Sequence, residues 1–311
     1  MEPALAITGL VKSFGAVRAV AGVTLEVAPG EVYGLIGPDG AGKTTTMRAV
    51  TGLIGTDAGE MRALGYRVPG EERGLRAHLG YMPQQYSLYG DLSVQENLRF
   101  FAGMYGVTRA DMLAREKRLL GIARLESFRD RPAQALSGGM YKKLALSCAL
   151  IHSPRLLLLD EPTNGVDPIS RRELWAFLRE LVGEGVAVLV STPYMDEAER
   201  CHRVGLLVDG RLVAQGRPQD LVAGFGHTVL EVSAAPVPPS VELLAGKPGV
   251  VDVYPVGKRL HVVTDDAGAM TGQILAHARA AGLGGMHVAP VPPSFEDVFL
   301  ALSAAREEAA A

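Results

Sequence analysis

The chain has 311 residues, 48% of them hydrophobic and 21% charged, the balance of a globular protein that buries a core. Lys and Arg number 31 and Asp and Glu 34, a net charge of −3 that argues against a chain-wide surface for polyanions. Cys148 and Cys201 stand outside any CxxC or Cys/His spacing, so they read as small buried residues of a reducing compartment, with no disulfide framework or zinc site. The start "MEPALAITGL" has no basic segment or long apolar core, and no signal peptide is expected. No apolar run approaches the roughly 18 to 20 residues of a membrane span, so a role at a membrane requires a partner chain. The length accommodates one large domain and a small one.

Residues 1 to 222 alternate strand-like and helix-like segments, as in a mostly parallel sheet covered on its faces. The apolar strand "VYGLI" runs into "GPDGAGKT", Gly37 to Thr44, which fits GxxxxGK[ST] between a strand and a helix. Glycines let such a loop curl so that its N–H groups face phosphates, and the following helix aims its positive end at them. Gly37, Asp39, Gly40, Ala41, Gly42, Lys43, Thr44 and Thr45 are therefore the candidate phosphate-binding set. Lys43 is expected to reach the β- and γ-phosphates and the Thr44 hydroxyl to ligate Mg²⁺, which makes ATP and Mg²⁺ the expected cofactors. "DMLAREKRLLGIARL" has helical apolar spacing, and "LSGGM", Leu136 to Met140, leads into another helix-like stretch. "PRLLLLDEP" reads as a buried strand that delivers Asp160 and Glu161 to its C-terminal end. Asp160 is expected to hold Mg²⁺ through water, and Glu161 to polarise the attacking water. The strand "GVAVLVST" then meets Pro193, which offers neither an N–H nor a polar side chain where open α/β sheets keep their chemistry. Thr192, preceding proline, is held extended, and His202 reads as a surface histidine.

The composition shifts near Phe225. "SAAPVPPS" reads as a linker, followed by the pattern strand "TVLEVS", helix "SVELLAG", strands "VVDVYPV" and "RLHVVT", helix "AGAMTGQILAHARAAG" and strand "MHVAPV". This βαββαβ order is that of ferredoxin-like domains. A last helix, "FEDVFLALSAAREEAAA", closes the chain. Domains are expected over 1–222 and 226–311, with a helical subdomain over about 85–152 of the first.

Together, "GPDGAGKT", "LSGGM" and "LLLLDEP" make residues 4 to 222 resemble the ATP-binding subunit of an ATP-binding-cassette (ABC) transporter. Further elements match in order: Phe14 in "VKSFGAV", Gln84 in "GYMPQ", "NGVDP" with Asp167, and "YMDEAERC". The resemblance implies an α/β P-loop NTPase fold of the ABC ATPase type, a mixed sheet core with a helical subdomain, followed by a small α+β ferredoxin-like domain. It implies that Phe14 stacks on adenine, although taken alone such an aromatic is more often a core residue. It implies that Gln84 of the Q-loop acts with Glu161 in catalysis and joins Thr44 and Asp160 around the metal. Two such domains pair head to tail, so Ser137, Gly138 and Gly139 serve a partner's ATP in trans, and ATP closes the dimer that hydrolysis releases. "LGYMPQQYSLYGDLSVQENLRFFAGMYGV" and "PSFEDVFLAL" are similar to bacterial ABC-2-type exporters of the daunorubicin-resistance and multidrug-efflux group. The implied partner is a separate ABC-2-type permease whose coupling helix docks at Gln84 to Asp91, with the ATPase on the cytoplasmic face of the membrane.

The departure is Pro193. That position is normally the switch histidine that contacts the γ-phosphate and the partner's D-loop. The chain's own site is therefore expected to be slow, whether as a homodimer or as a heterodimer with a second ATP domain that keeps the histidine. Two other classes are weaker. A soluble ABC protein of nucleic-acid repair or the ribosome would carry a coiled-coil or zinc insertion, or two ATP domains, and none is present; no nucleic-acid partner is expected. A degenerate regulator conflicts with intact Lys43, Asp160 and Glu161.

Overall fold

The computed structural model describes residues 2–85, 87–233, 241–280 and 285–310. They fall into two compact units, Met1–Gln215 and Gly216–Ala311. Most of the expected linker, 234–240, lies outside the described residues.

The first unit opens with β1 (Leu5–Phe14) and β2 (Val17–Val27), an antiparallel pair, followed by β3 (Val32–Ile36), which is buried throughout. The phosphate loop then leads into α1 (Lys43–Val50). The next strands, β4 (Ala58–Ala63) and β5 (Tyr66–Val68), extend the first pair into an antiparallel sheet ordered β2-β1-β4-β5. This sheet departs from the mostly parallel expectation. Its strands mix buried and exposed positions, as one-sided antiparallel strands do.

A short α2 (Glu72–Leu75) precedes β6 (Leu79–Met82). Three helices follow: α3 (Val94–Met104), α4 (Arg109–Ala123) and α5 (Gly138–Leu150). Each starts on a hydroxyl that accepts a free N–H of its first turn, from Ser93, Thr108 and Ser137. The chain continues through β7 (Leu156–Asp160), α6 (Pro168–Gly183), β8 (Ala187–Thr192), α7 (Met195–Ala198), β9 (Arg203–Val208) and β10 (Arg211–Gly216). These strands form a second sheet ordered β10-β9-β3-β8-β7-β6. From β9 to β6 every pairing is parallel.

Every residue of β3, β7 and β8 is buried, which explains their continuous apolar runs. A buried leucine contributes about 1.5–3 kcal/mol, so Leu156 to Leu159, all fully buried, hold β7 firmly between β8 and β6. The register sets Ile36 beside Thr192 and Asp160 beside Ser191. Three adjacent strands thus release the phosphate loop, the two acids and Pro193 at one edge.

The second unit comprises α8 (Pro218–Ala223), β11 (Thr228–Ser233), β12 (Val250–Val256), β13 (Arg259–Thr264), α9 (Ala267–Ala280), β14 (His287–Val291) and α10 (Phe295–Ala310). Its sheet is antiparallel throughout, in the order β12-β13-β11-β14. Met270, Ile274 and Ala278, spaced by four on α9, are buried, and the first two join a cluster with Leu230, Val232 and Val262. Where "SVELLAG" suggested a helix, the described residues form a 3-10 turn, Val241–Leu243. Gly246 and Gly249 take positive φ and flank Pro248, leaving too short a run to nucleate an α-helix. Asp297 anchors α10: it accepts from Ser294 N–H and from the Tyr254 hydroxyl, and it lies 2.7 Å from His261 Nδ1.

Cys148 and Cys201 are buried and unpaired, and burial pushes both thiols above their usual range. No helix among the described residues is long and apolar enough to cross a membrane.

Each unit has its own apolar cluster. A fragment ending at Gly216 should therefore unfold cooperatively and retain nucleotide binding. A circular dichroism melt showing no cooperative transition would mean that the second unit is required for the first to fold.

A candidate nucleotide site at the strand ends

The phosphate loop is closed by backbone geometry that side chains resist. Gly42, the residue before α1, takes φ 105°, and a Cβ there would lie 2.3 Å from Ala19 O. No side chain caps α1, so the N–H groups of its first turn remain available to an anion. Lys43 is 4% exposed. Its ammonium donates to Gly37 O at 2.8 Å and Pro38 O at 2.9 Å, and lies 3.7 Å from Glu161 Oε1. Burial lowers its pKa, while the carboxylates of Glu161, Asp39 and Asp160 act in the opposite sense.

Asp160 is fully buried. Its Oδ1 accepts from Thr44 Oγ1 at 3.0 Å and from Ser191 Oγ at 2.6 Å, and its Oδ2 has no partner. Glu161 takes φ 49°, an uncommon left-handed value for a residue with a side chain, of a kind that concentrates at active sites. Its N–H is held by Ser191 O at 3.2 Å and Ser191 Oγ at 3.0 Å. Its Oε2 accepts from Gln84 Nε2 at 2.8 Å and Asn164 Nδ2 at 3.1 Å. Asp39, Gly40, Lys43 and Thr44 line an open cleft of about 290 Å³ with Gln84 and Glu161 on its other side.

The candidate metal donors are the Thr44 hydroxyl, the Asp160 carboxylate hydrogen-bonded to it, which keeps one unpartnered buried oxygen, and the amide oxygen of Gln84. Hard oxygens of this kind suit a small divalent cation that keeps water and phosphate ligands. Among the described residues no group of three His, Cys, Asp or Glu could hold a metal without such help.

Comparison with known proteins agrees with this geometry. The family described as ABC transporter matches residues 20–164. The Nod factor export ATP-binding protein I of Paraburkholderia xenovorans (strain LB400) is 39% identical over 305 residues, covering 97% of each chain. The chain belongs to the ATP-binding subunits of ABC transporters. The ABC family is one of ATPases. The probable multidrug ABC transporter ATP-binding protein YbhF of Escherichia coli (strain K12) is 44% identical over 214 residues, 69% of this chain, and the match spans 37% of that relative's length. A solved ATP-binding subunit of an ABC transporter superposes with a TM-score of 0.66 at 33% identity, over 71% of this chain and 93% of the other.

The ABC motifs are distributed in a telling way. Asp39, Gly40, Gly42 to Thr45, Gln84 and Glu161 line the cleft, Gly37 and Asp160 are joined to it through Lys43 and Thr44, and Ala41 is buried, whereas Ser137, Gly138 and Gly139 do not line it. Ser137 and Gly138 are exposed and Gly139 is buried. A Cβ on Gly139 would lie 2.3 Å from Ser170 Oγ, so the start of α5 fits against that of α6 only as glycine. Asp167 of the D-loop caps α6, accepting from Ile169 and Ser170 N–H at 3.0 Å each. Phe14 is 52% exposed, with Lys12 Nζ 5.3 Å from its ring centre, so it is not a core residue. His202 Nδ1 accepts from Val32 N–H at 3.0 Å, at the far end of β3 from the phosphate loop, and cannot replace the switch histidine. Pro193 is half-buried just after β8.

Four further contact residues carry no motif role in the sequence, although Ser191 and Tyr194 are polar neighbours of Pro193. Ser191 is the second hydroxyl on Asp160; its signal is a polar residue ending an apolar strand beside the acidic strand end. Lys142, buried on α5, lies 3.3 Å from Gln84 O and 3.5 Å from Glu161 O. Burial pushes its ammonium below the usual lysine range, against Glu161 and Asp160. Asn164 contacts Glu161, and Tyr194 lies beside Asn164. The contacts of Lys142 and Tyr194, made with residues 19 or more positions away, leave no local pattern.

Lys43→Ala removes a charge-assisted contact to phosphate, of a class worth about 1.5–3 kcal/mol. The ATP dissociation constant should rise at least about tenfold. An unchanged constant in a nucleotide titration would contradict the assignment of the cleft.

Proposed function

We propose that the chain is the ATP-hydrolysing motor subunit of an exporter and works by ATP-driven closure of a dimer. The observation that carries the reading is Glu161, directed into the phosphate cleft 3.7 Å from the Lys43 ammonium and braced by Gln84 and Asn164. That is the arrangement of an acid poised to polarise water, beside a cation that binds phosphate. Lys43, the loop N–H groups and the first turn of α1 bind the β- and γ-phosphates. Thr44, Asp160 through water and the Gln84 amide oxygen hold Mg²⁺, which supplies positive charge to the phosphate oxygens. Exposed Phe14 offers its ring to adenine.

The helix start at Ser137, Gly138 and Gly139 lies outside the chain's own cleft and completes the site of a second subunit. Export is supported by relatives named for multidrug transport and Nod factor export. An ABC-2-type permease is the proposed membrane partner, docking at Gln84 to Asp91 on the cytoplasmic face. The ferredoxin-like reading of residues 226–311 is supported by the strand order β12-β13-β11-β14, and an accessory role is proposed for that domain.

Pro193 favours a second form of the same reading. A site without the switch histidine turns over slowly, and the chain serves a partner that keeps the histidine better than it serves itself.

Glu161→Gln preserves shape and removes the base. With ATP and Mg²⁺ the variant should elute from size exclusion with a larger dimer fraction than with ADP, and its turnover should fall at least about a hundredfold. Parental turnover in the variant would exclude Glu161 as the acid.

A further inference from the structure

The segment that lacks the histidine is nevertheless held tightly. Tyr194 N–H donates to Thr192 Oγ1 at 3.1 Å. Arg171 of α6 lies with its guanidinium carbon 4.5 Å from the centre of the Tyr194 ring. Arg171 is itself tied to α7, 3.4 Å from Asp196 and 3.5 Å from the fully buried Glu197. The Tyr194 hydroxyl lies 3.5 Å from Asn164 Oδ1, while Asn164 Nδ2 donates to Glu161 Oε2.

An asparagine amide has two unlike edges. Turned one way it donates to a carboxylate; turned the other it presents oxygen to oxygen. Asn164 is exposed on a loop, with room for either orientation. A hydroxyl donating to Oδ1 selects the orientation that offers Nδ2 to Glu161.

We infer that Tyr194 is a positioning residue for Glu161, acting through Asn164 and supported by Arg171, and that this relay supplies part of the alignment that Pro193 cannot. The inference rests on the ATPase reading of the same cleft. Gln84 approaches Glu161 Oε2 from the loop after β6, whereas Asn164 and Tyr194 follow the ends of β7 and β8. The carboxylate is thus fixed from two sides, and loss of the second leaves Gln84 as its remaining neutral donor among the described contacts. The relay touches neither Lys43 nor the loop N–H groups, so its loss acts on turnover and spares affinity.

The test uses the full chain, with steady-state ATPase kinetics, an ATP titration and a thermal melt. Tyr194→Phe should lower kcat about tenfold, with KM and the ATP dissociation constant within about twofold of the parent. Asn164→Ala should do the same, and the double variant should be no slower than Asn164→Ala alone, because both residues act along one path. If Tyr194→Phe does not fold, Asn164→Ala, on its exposed loop, decides by the same split between kcat and affinity. Parental kcat in either folded variant, a loss confined to KM, or multiplying effects in the double variant would overturn the relay. A parent that binds ATP but hydrolyses none would overturn it as well. A parent that fails to bind ATP would instead remove the ATPase reading beneath it.

Discussion

The site depends on one buried oxygen. Asp160 Oδ1 receives the hydroxyl of Thr44 from the helix after β3 and that of Ser191 from β8, while the Asp160 backbone belongs to β7. Three neighbouring parallel strands are thereby registered at their C-terminal ends. A carboxylate buried this completely is costly unless hydrogen-bonded. The two hydroxyls satisfy one oxygen and leave Oδ2 buried without a partner. Ser191 Oγ also accepts the Glu161 N–H, so the node that seats the first acid directs the second.

Around that node the chain joins surfaces that serve different purposes. The start of α5, with Ser137 and Gly138 exposed, lies outside the lining of the chain's own cleft. Lys142, within the first two turns of the same helix, reaches the carbonyls of Gln84 and Glu161 inside it. Tyr141 on the same helix adds a further tie, since its hydroxyl accepts the N–H of Leu88 beyond the Q-loop glutamine. Helix α5 is therefore tied directly to Gln84 and Glu161. A similar tie holds for α6, where Arg171 connects the helix capped by Asp167 to the segment after Pro193.

Much of this was legible in the sequence because the relevant physics is local. A glycine-rich loop between strand and helix, four leucines ending in two acids, and a serine before two glycines each specify a backbone geometry within a few residues. The strands β3, β7 and β8 followed from their unbroken apolar runs. What was not legible depends on pairing between distant segments. Nothing within β1, β2, β4 or β5 says that they form their own antiparallel sheet. Nothing near Lys142 says that its ammonium reaches two carbonyls on other elements. Phe14 carried opposite local and motif-based readings until its exposure excluded the core. "SVELLAG" failed as a helix because a glycine, proline and second glycine follow before a second turn can form.

Under the proposed function, Asp160 takes part through water in holding a divalent cation bound with nucleotide. Asp160→Asn preserves an oxygen to accept from Thr44 and Ser191 but removes the charge. Calorimetric titration of ATP into parent and variant, each with Mg²⁺ and with EDTA, tests it most directly. Mg²⁺ should tighten ATP binding about tenfold or more in the parent, and most of this gain should disappear in the variant. Equal affinities with and without Mg²⁺ in the parent, or an undiminished gain in the variant, would contradict it.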